Sequence, residues 1–179
     1  KQQVTEEDKT TIAQLVQQAI REGKATVTLN PQRAGNWELL AKTYQSIMPF
    51  AQGADAFAIQ TYNQSIVLDP INPNLRISQG GIFYALGRFD EAIRAFELAV
   101  IAKPNLANAH YNLAMAYKEK GDIEKAITSM TNVVALVNKD SNDYQIAITE
   151  LENLEKRRVN AEPQGSESLT PPAEAEDPL

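Results

Sequence analysis

Few residues of this 179-residue sequence have types and spacings suited to catalysis. The single histidine, His110, has no companion ligand or nucleophile near it, and Gly80-Gly81 is only a pair of glycines. HExxH, GxSxG and a glycine-rich phosphate loop are missing from the sequence. Cysteine is absent, which excludes disulfides, thiolate nucleophiles and cysteine-ligated metals. We therefore expect no enzymatic activity, no metal site and no cofactor.

The charged residues have structural explanations. Asp90 and Glu91 stand where a helix is expected to begin, and carboxylates are favoured at that end of the helix dipole. The basic run EKRR at 155–158 is short and has acidic neighbours. The net charge of −6 argues against nucleic acid as a partner, and no apolar run reaches the roughly 18 residues of a membrane span. We expect a protein or peptide partner and no direct membrane insertion of this segment.

The sequence repeats itself with a period of 34 residues. Gly53, Gly87 and Gly121 are separated by 34 residues each, and further columns keep the same step: Ala58, Ala92 and Ala126; Tyr62, Phe96 and Met130; Ser65, Ala99 and Val133; Pro70, Pro104 and, in the next position, Asn138. Within each copy the apolar residues recur at three- and four-residue steps, the period of a helix face. The first copy contains five additional residues around IMPFAQ.

Helical hairpins of this length cannot bury their own apolar faces and must stack. The predicted fold is therefore all-α: a right-handed superhelical solenoid of antiparallel helix pairs, with an N-terminal half-repeat and a C-terminal capping helix. Small residues allow the two helices of a pair to approach closely, large ones fill the space between pairs, and the glycines suit turns with positive φ. The predicted segments are 1–33 (half-repeat), 34–72, 73–106 and 107–140 (three repeats), 141–158 (capping helix) and 159–179 (disordered acidic, proline-rich tail).

The residue types in these columns resemble the tetratricopeptide repeat. The resemblance rests on Trp37, Leu40, Ala41, Tyr44, Ala58, Tyr62 and Pro70 in the first copy; Gly80, Phe83, Gly87, Phe89, Ala92, Phe96, Ala99 and Pro104 in the second; and Leu113, Ala114, Tyr117, Gly121 and Ala126 in the third. Arg76, His110 and Gln79 depart from the apolar residues that the family prefers, and Asn138 replaces a proline.

The resemblance implies that the first helix of each pair lines a concave groove, which binds a peptide or a partner helix. The groove residues that it implies are Lys42, Gln45, Asn74, Ile77, Ser78, Tyr84, Asn108, Tyr111, Asn112 and Met115, with Glu38, Gly81, Lys118, Asn142, Gln145 and Thr149 beside them. Members that clamp the C-terminal carboxylate of chaperones have lysine and asparagine where this chain has Glu38 and Lys42, so we do not expect that type of binding.

Two other functions remain open at this point. The wording of the repeats is similar to tetratricopeptide tails of polytopic bacterial membrane proteins related to O-antigen polymerases and ligases, and the start without methionine favours a processed form or a fragment. The chain would then be a soluble appendage, tethered to a bacterial membrane through upstream sequence. Alternatively, self-association would bury the face that the incomplete N-terminal repeat leaves open.

Overall fold

The computed structural model describes residues 5–161, which form eight α-helices and no strand. The helices are α1 (Glu6–Leu29), α2 (Ala34–Ile47), α3 (Ala54–Leu68), α4 (Pro73–Ala85), α5 (Phe89–Ala102), α6 (Ala107–Lys120), α7 (Ile123–Leu136) and α8 (Asn142–Ala161). Each helix packs on the next, and α2–α3, α4–α5 and α6–α7 are the most closely packed pairs. The chain is thus an all-α repeat of antiparallel helix pairs, as predicted.

The helix ends follow from local sequence. At the start of α1 the Thr5 hydroxyl accepts a hydrogen bond from the Asp8 N–H (3.1 Å), while the Asp8 carboxylate accepts one from the Thr5 N–H (2.9 Å). Gly53, Gly87 and Gly121, which lie between the two helices of their pairs, have φ of 78°, 71° and 91°. These values are in the left-handed region, which explains why the 34-residue period keeps glycine there.

Small residues hold the paired helices together. Ala41, Ala58, Ala92, Ala114 and Ala126 are all fully buried. At Gly80 the contact is closest, since a Cβ built there would lie 2.5 Å from Cε1 of Phe96 on the partner helix. The prediction that these columns allow close helix packing is confirmed.

The residues that appeared to depart from the family pattern share one role. The Trp37 indole N–H donates to the carbonyl of Pro31 (2.7 Å), and Arg76 donates in the same way to Pro70 (3.3 Å). His110 Nε2 lies 2.8 Å from the carbonyl of Pro104, and because a carbonyl oxygen can only accept, Nε2 must carry the proton. In all three the side chain bonds a carbonyl six residues earlier, so each fixes the linker to the helix that follows it.

The buried apolar residues form two clusters. One joins α1 to α4 and contains Leu40, Tyr62, Leu75 and Ile82, while the other joins α5 to α8 around Phe96. Helix α4 contributes to both, because its partly buried Ile77, Phe83 and Tyr84 pack on the second cluster. Large side chains thus fill the space between pairs, as the sequence predicts.

The capping helix is longer than predicted. Residues 159–161 belong to α8, so the prediction of a disordered tail beginning at 159 is wrong for these three residues. Leu154 is buried against the core, and Arg158 lies 3.9 Å from Glu124, which places this stretch of the helix against α7. The rest of the predicted tail, 162–179, lies outside the described residues.

Candidate functional site

Helices α2, α4, α6 and α8 lie on the inner side of the stack. Among the described residues α4 contacts α6 directly, whereas no comparable contact joins α3 to α5 or α5 to α7. Alternate helices approach one another on the side of smaller radius, so the first helix of each pair faces inward. The predicted groove residues are carried by α2, α4 and α6 of this set.

The best-formed cavity on this side lies between α6 and α8. Its volume is about 410 Å³, and its lining residues are Ala107, Asn108 and Tyr111 of α6, Val133 and Val137 at the end of α7, and Asp143 and Ile146 of α8. We call this cavity the α6/α8 groove. The two valines form an apolar floor, and Asn108, Tyr111 and Asp143 place an amide, a phenol and a carboxylate at its sides.

Hydrogen bonds order the α6 side of the groove. The Asn112 amide donates to the carbonyl (2.7 Å) and to Oδ1 (2.9 Å) of Asn108, one turn earlier. This arrangement leaves the Asn108 N–H₂ group and the Asn112 Oδ1 as potential partners for a peptide backbone. Lys118 bonds Glu150 across α6 and α8 (3.2 Å), and both side chains are largely buried. The ion pair joins the two helices beyond the groove.

The α4 residues form the next part of the inner face. Ile77, Tyr84, Tyr111 and Met115 are all partly buried against the cluster that joins α5 to α8. The Tyr84 ring meets Phe89 edge-on, with centroids 5.6 Å apart. Burial raises the pKa of Tyr84, and the nearby Glu119 carboxylate adds to the rise, so the phenol is a neutral hydrogen-bonding group.

The α2 residues form a separate group around the Tyr62 hydroxyl. This hydroxyl donates to Gln45 Oε1 (3.0 Å) and lies next to Ser78 of α4. Lys42 pairs with Glu38 at 2.6 Å, and this hydrogen bond raises the pKa of the Lys42 ammonium. Lys42 and Gln45 are therefore engaged in internal contacts, away from the α6/α8 groove.

The structure brings part of the predicted set together. Asn108 and Tyr111 line the groove, Asn112 is bonded to Asn108, and Ile77, Tyr84 and Met115 flank the same core cluster. Asn74 is exposed at the start of α4, and no cavity described above includes it.

Asp143 and Ile146 were not predicted as groove residues. The sequence analysis placed Asn142 and Gln145 inward, by adding 34 to Asn108 and Tyr111. A groove between neighbouring helices has two walls, and its second wall uses positions one residue further on. Ser78 and Asn112 occupy the position of Ile146 in their own repeats, and this was the available signal.

Within residues 5–161 no group of three or more His, Asp or Glu side chains is placed to hold a metal ion. No helix in this range is long and apolar enough to span a membrane. A second cavity of about 420 Å³ lies between α1, α2 and α3, where Tyr44 and Phe57 stack with ring centroids 5.3 Å apart.

Comparison with known proteins agrees with this geometry. A family model described as "TPR repeat" matches residues 80–121, and one described as "Tetratricopeptide repeat" matches residues 107–140. The chain is a tetratricopeptide repeat protein. A TPR repeat-containing thioredoxin of Arabidopsis thaliana, TTL4, is 35% identical over 77 residues, which are 43% of this chain and 11% of that protein. In the curated relatives that it matches, the chain thus spans about a tenth of the length or less.

Solved structures show the same fold at low identity. The crystal structure of MamA is 19% identical, with a TM-score of 0.63 over 89% of this chain and 99% of that chain. The first tetratricopeptide domain of Spaghetti (RPAP3), bound to the HSP90 peptide SRMEEVD, is 22% identical, with a TM-score of 0.61 over 72% of this chain and 94% of that chain. The fold is that of a protein–protein interaction module.

Proposed function

We propose that this tetratricopeptide repeat protein binds an extended peptide segment of a partner protein in the α6/α8 groove. The observation that carries the proposal is the composition of the groove, which combines an apolar floor with polar groups along its sides. Peptide-binding grooves use apolar pockets for side chains and polar groups for the peptide backbone. The volume of about 410 Å³ falls in the range of small-ligand sites and accommodates a few side chains.

The hydrogen-bonding groups favour an extended backbone. The Asn108 amide and the Asn112 carbonyl oxygen offer one donor and one acceptor a single helical turn apart. An extended peptide presents N–H and C=O groups along its edge, and both can be satisfied by such a pair. Tyr111 supplies a large, rigid contact surface beside them.

Charge sets the expected peptide class. Asp143 lines the groove, and Glu38 lies further along the inner face. Carboxylates repel an acidic peptide such as the SRMEEVD that binds the Spaghetti domain, and they attract lysine or arginine. We therefore expect a neutral or basic segment with an apolar residue for the valine floor, and no binding of an acidic C-terminal carboxylate.

Selection from a random-peptide display library, followed by fluorescence polarisation with the selected peptides, tests this function. Tyr111→Ala should weaken binding by at least about tenfold, the loss expected for a central aromatic anchor. Asp143→Asn should remove the preference for basic peptides and lower the sensitivity of binding to salt.

Asn132→Ala is the matched control, because Asn132 is exposed on α7 and lies outside the groove. It should leave the affinity unchanged. Equal affinity of the wild-type protein and Tyr111→Ala for the selected peptides would place the binding site elsewhere. Enrichment of acidic peptides would contradict the assigned peptide class.

A further inference from the structure

Helix α1 exposes a face that the other second helices of the solenoid bury. Ala58, Ala92 and Ala126 are fully buried against the first helix of their own pairs. Ala19 occupies the same repeat position in α1, as shown by the alignment of AIREGKATVTLNP with AIQTYNQSIVLDP, and it is exposed. Helix α1 therefore carries the small residue of a close helix contact without a helix on it among the described residues.

A cavity of about 430 Å³ lies where the missing first helix would pack. It is lined by Leu15, Val16 and Ala19 of α1 and by Leu39, Lys42, Thr43, Ser46 and Ile47 of α2. Leu15 and Leu39 are 60% and 56% exposed, and Ile12, one turn before Val16, is 45% exposed. This apolar surface has the width and position of a helix seat.

Helix α8 is the opposite case. It follows α7 in the position of a first helix, and within residues 5–161 no second helix packs on it. Gln145 and Glu152 are exposed, and Ile148 between them is only partly buried. One end of the molecule thus has a second helix without its first, and the other end has a first helix without its second.

Residue sizes at the two ends are complementary. In the complete pairs the close contact joins a small residue of the first helix to a large one of the second, as Gly80 meets Phe96. In α8 the position of Gly80 and Ala114 is taken by the large Ile148, and in α1 the position of Phe96 is taken by Gly23. The sizes are reversed on both helices, so α8 and α1 fit each other better than either fits a standard partner.

Length and charge are complementary as well. Helix α8 has 20 residues and α1 has 24, against 14 in each of α6 and α7. The excess lies at the C-terminus of α8 and at the N-terminus of α1, which meet at one end of an antiparallel pair. There α8 carries Lys156, Arg157 and Arg158, and the first turn of α1 carries Glu6, Glu7 and Asp8.

We propose that a second copy of this chain docks head to tail, with its α8 in the seat formed by α1 and α2, and that α8 and α1 together complete one tetratricopeptide repeat across the interface. Such a contact joins two different surfaces and leaves one of each free, so it builds open chains of molecules. The continuous solenoid would then contain one composite repeat per junction.

Sedimentation velocity from micromolar to millimolar concentration tests the proposal, with the charge-matched variants Ala19→Glu and Gln17→Glu. Residues two apart on a helix point about 200° apart, so Gln17, which is exposed, faces away from the seat. The wild-type protein and Gln17→Glu should show a sedimentation coefficient that rises with concentration. Ala19→Glu should weaken association by at least about tenfold, because it places a charge in an apolar contact.

Cross-linking shows the orientation directly, since the chain contains no cysteine. Ala19→Cys mixed with Glu152→Cys should give a dimer with a short bismaleimide, whereas Gln17→Cys mixed with Glu152→Cys should not. A wild-type protein that sediments as a monomer at every concentration would overturn the proposal. Equal behaviour of the Ala19 and Gln17 variants, or efficient cross-linking of Ala19→Cys to itself, would overturn it too.

Discussion

Adjacent glycines in α4 should respond in opposite directions to the same substitution. A Cβ at position 80 would lie 2.5, 2.7 and 3.0 Å from three ring atoms of Phe96, whereas a Cβ at position 81 would meet nothing within 4 Å. Alanine gains about 1 kcal/mol over glycine in a helix interior, and this gain applies to both positions. At position 80 the Phe96 ring, which is only 1% exposed, must retreat by about 1 Å to reach ordinary contact.

Overpacking of a closed core costs about 1–3 kcal/mol, and the displaced ring would also disturb the α4–α5 pair. We therefore expect Gly80→Ala to lower the free energy of unfolding by about 1–2 kcal/mol after the helix gain is included. Gly81→Ala should raise it by about 0.5–1 kcal/mol. Urea unfolding followed by far-UV circular dichroism measures both, and a repeat protein requires that the slopes of the two transitions be compared first.

The variant Phe96→Leu supplies the control for this reasoning. A smaller side chain opposite position 80 should reduce the cost of the added methyl group, so the two substitutions should be strongly non-additive. If Gly80→Ala stabilises the protein as much as Gly81→Ala does, the ring moves freely and close packing is not the reason for glycine at this position.

Further predictions concern the linkers and the charged ends. His110→Phe should lower the free energy of unfolding by about 1–2 kcal/mol in urea titrations, because it leaves the Pro104 carbonyl without its donor; an unchanged value would show that the bond is dispensable. Lys120 holds the pKa of Asp90 below its ordinary value of 3.8, so this pair stabilises the fold above pH 3.8 and the contribution is lost as the pH falls below it. Asp90→Asn should therefore make the acid side of a pH–Tm profile shallower. Thr5→Ala should lower the stability of the first turn of α1 by about 1 kcal/mol, which amide hydrogen exchange would detect as faster exchange at its start.

The fold could be predicted because it depends on residue size at fixed spacing. Ala58, Ala92 and Ala126 are small for the same reason in each copy, and a period of 34 residues is visible without coordinates. Arg76 and His110 appeared to be exceptions, because the pattern does not show that their N–H groups reach back to the carbonyl before each helix. Side-chain identity alone does not reveal a role that depends on the path of the linker.

The groove was predicted only in part for a related reason. Asn108 and Tyr111 follow from the repeat position that faces inward, but the opposite wall belongs to the next helix. Asp143 and Ile146 depend on how far α8 is offset from α6, and this offset is a property of packing between repeats. The length of α8 was also beyond the sequence pattern, because a charged run is compatible with a continuing helix or with a tail.

The division of the core into two clusters gives the solenoid a mechanical character. Helix α4 turns Leu75 and Ile82 toward one cluster and Ile77, Phe83 and Tyr84 toward the other, so it acts as a wall shared by two compartments. A small roll of this helix changes the curvature of the stack without opening either compartment. The module should therefore behave as an elastic spring that is softest at its third and fourth helices, and a ligand that bridges α4 and α6 would stiffen it.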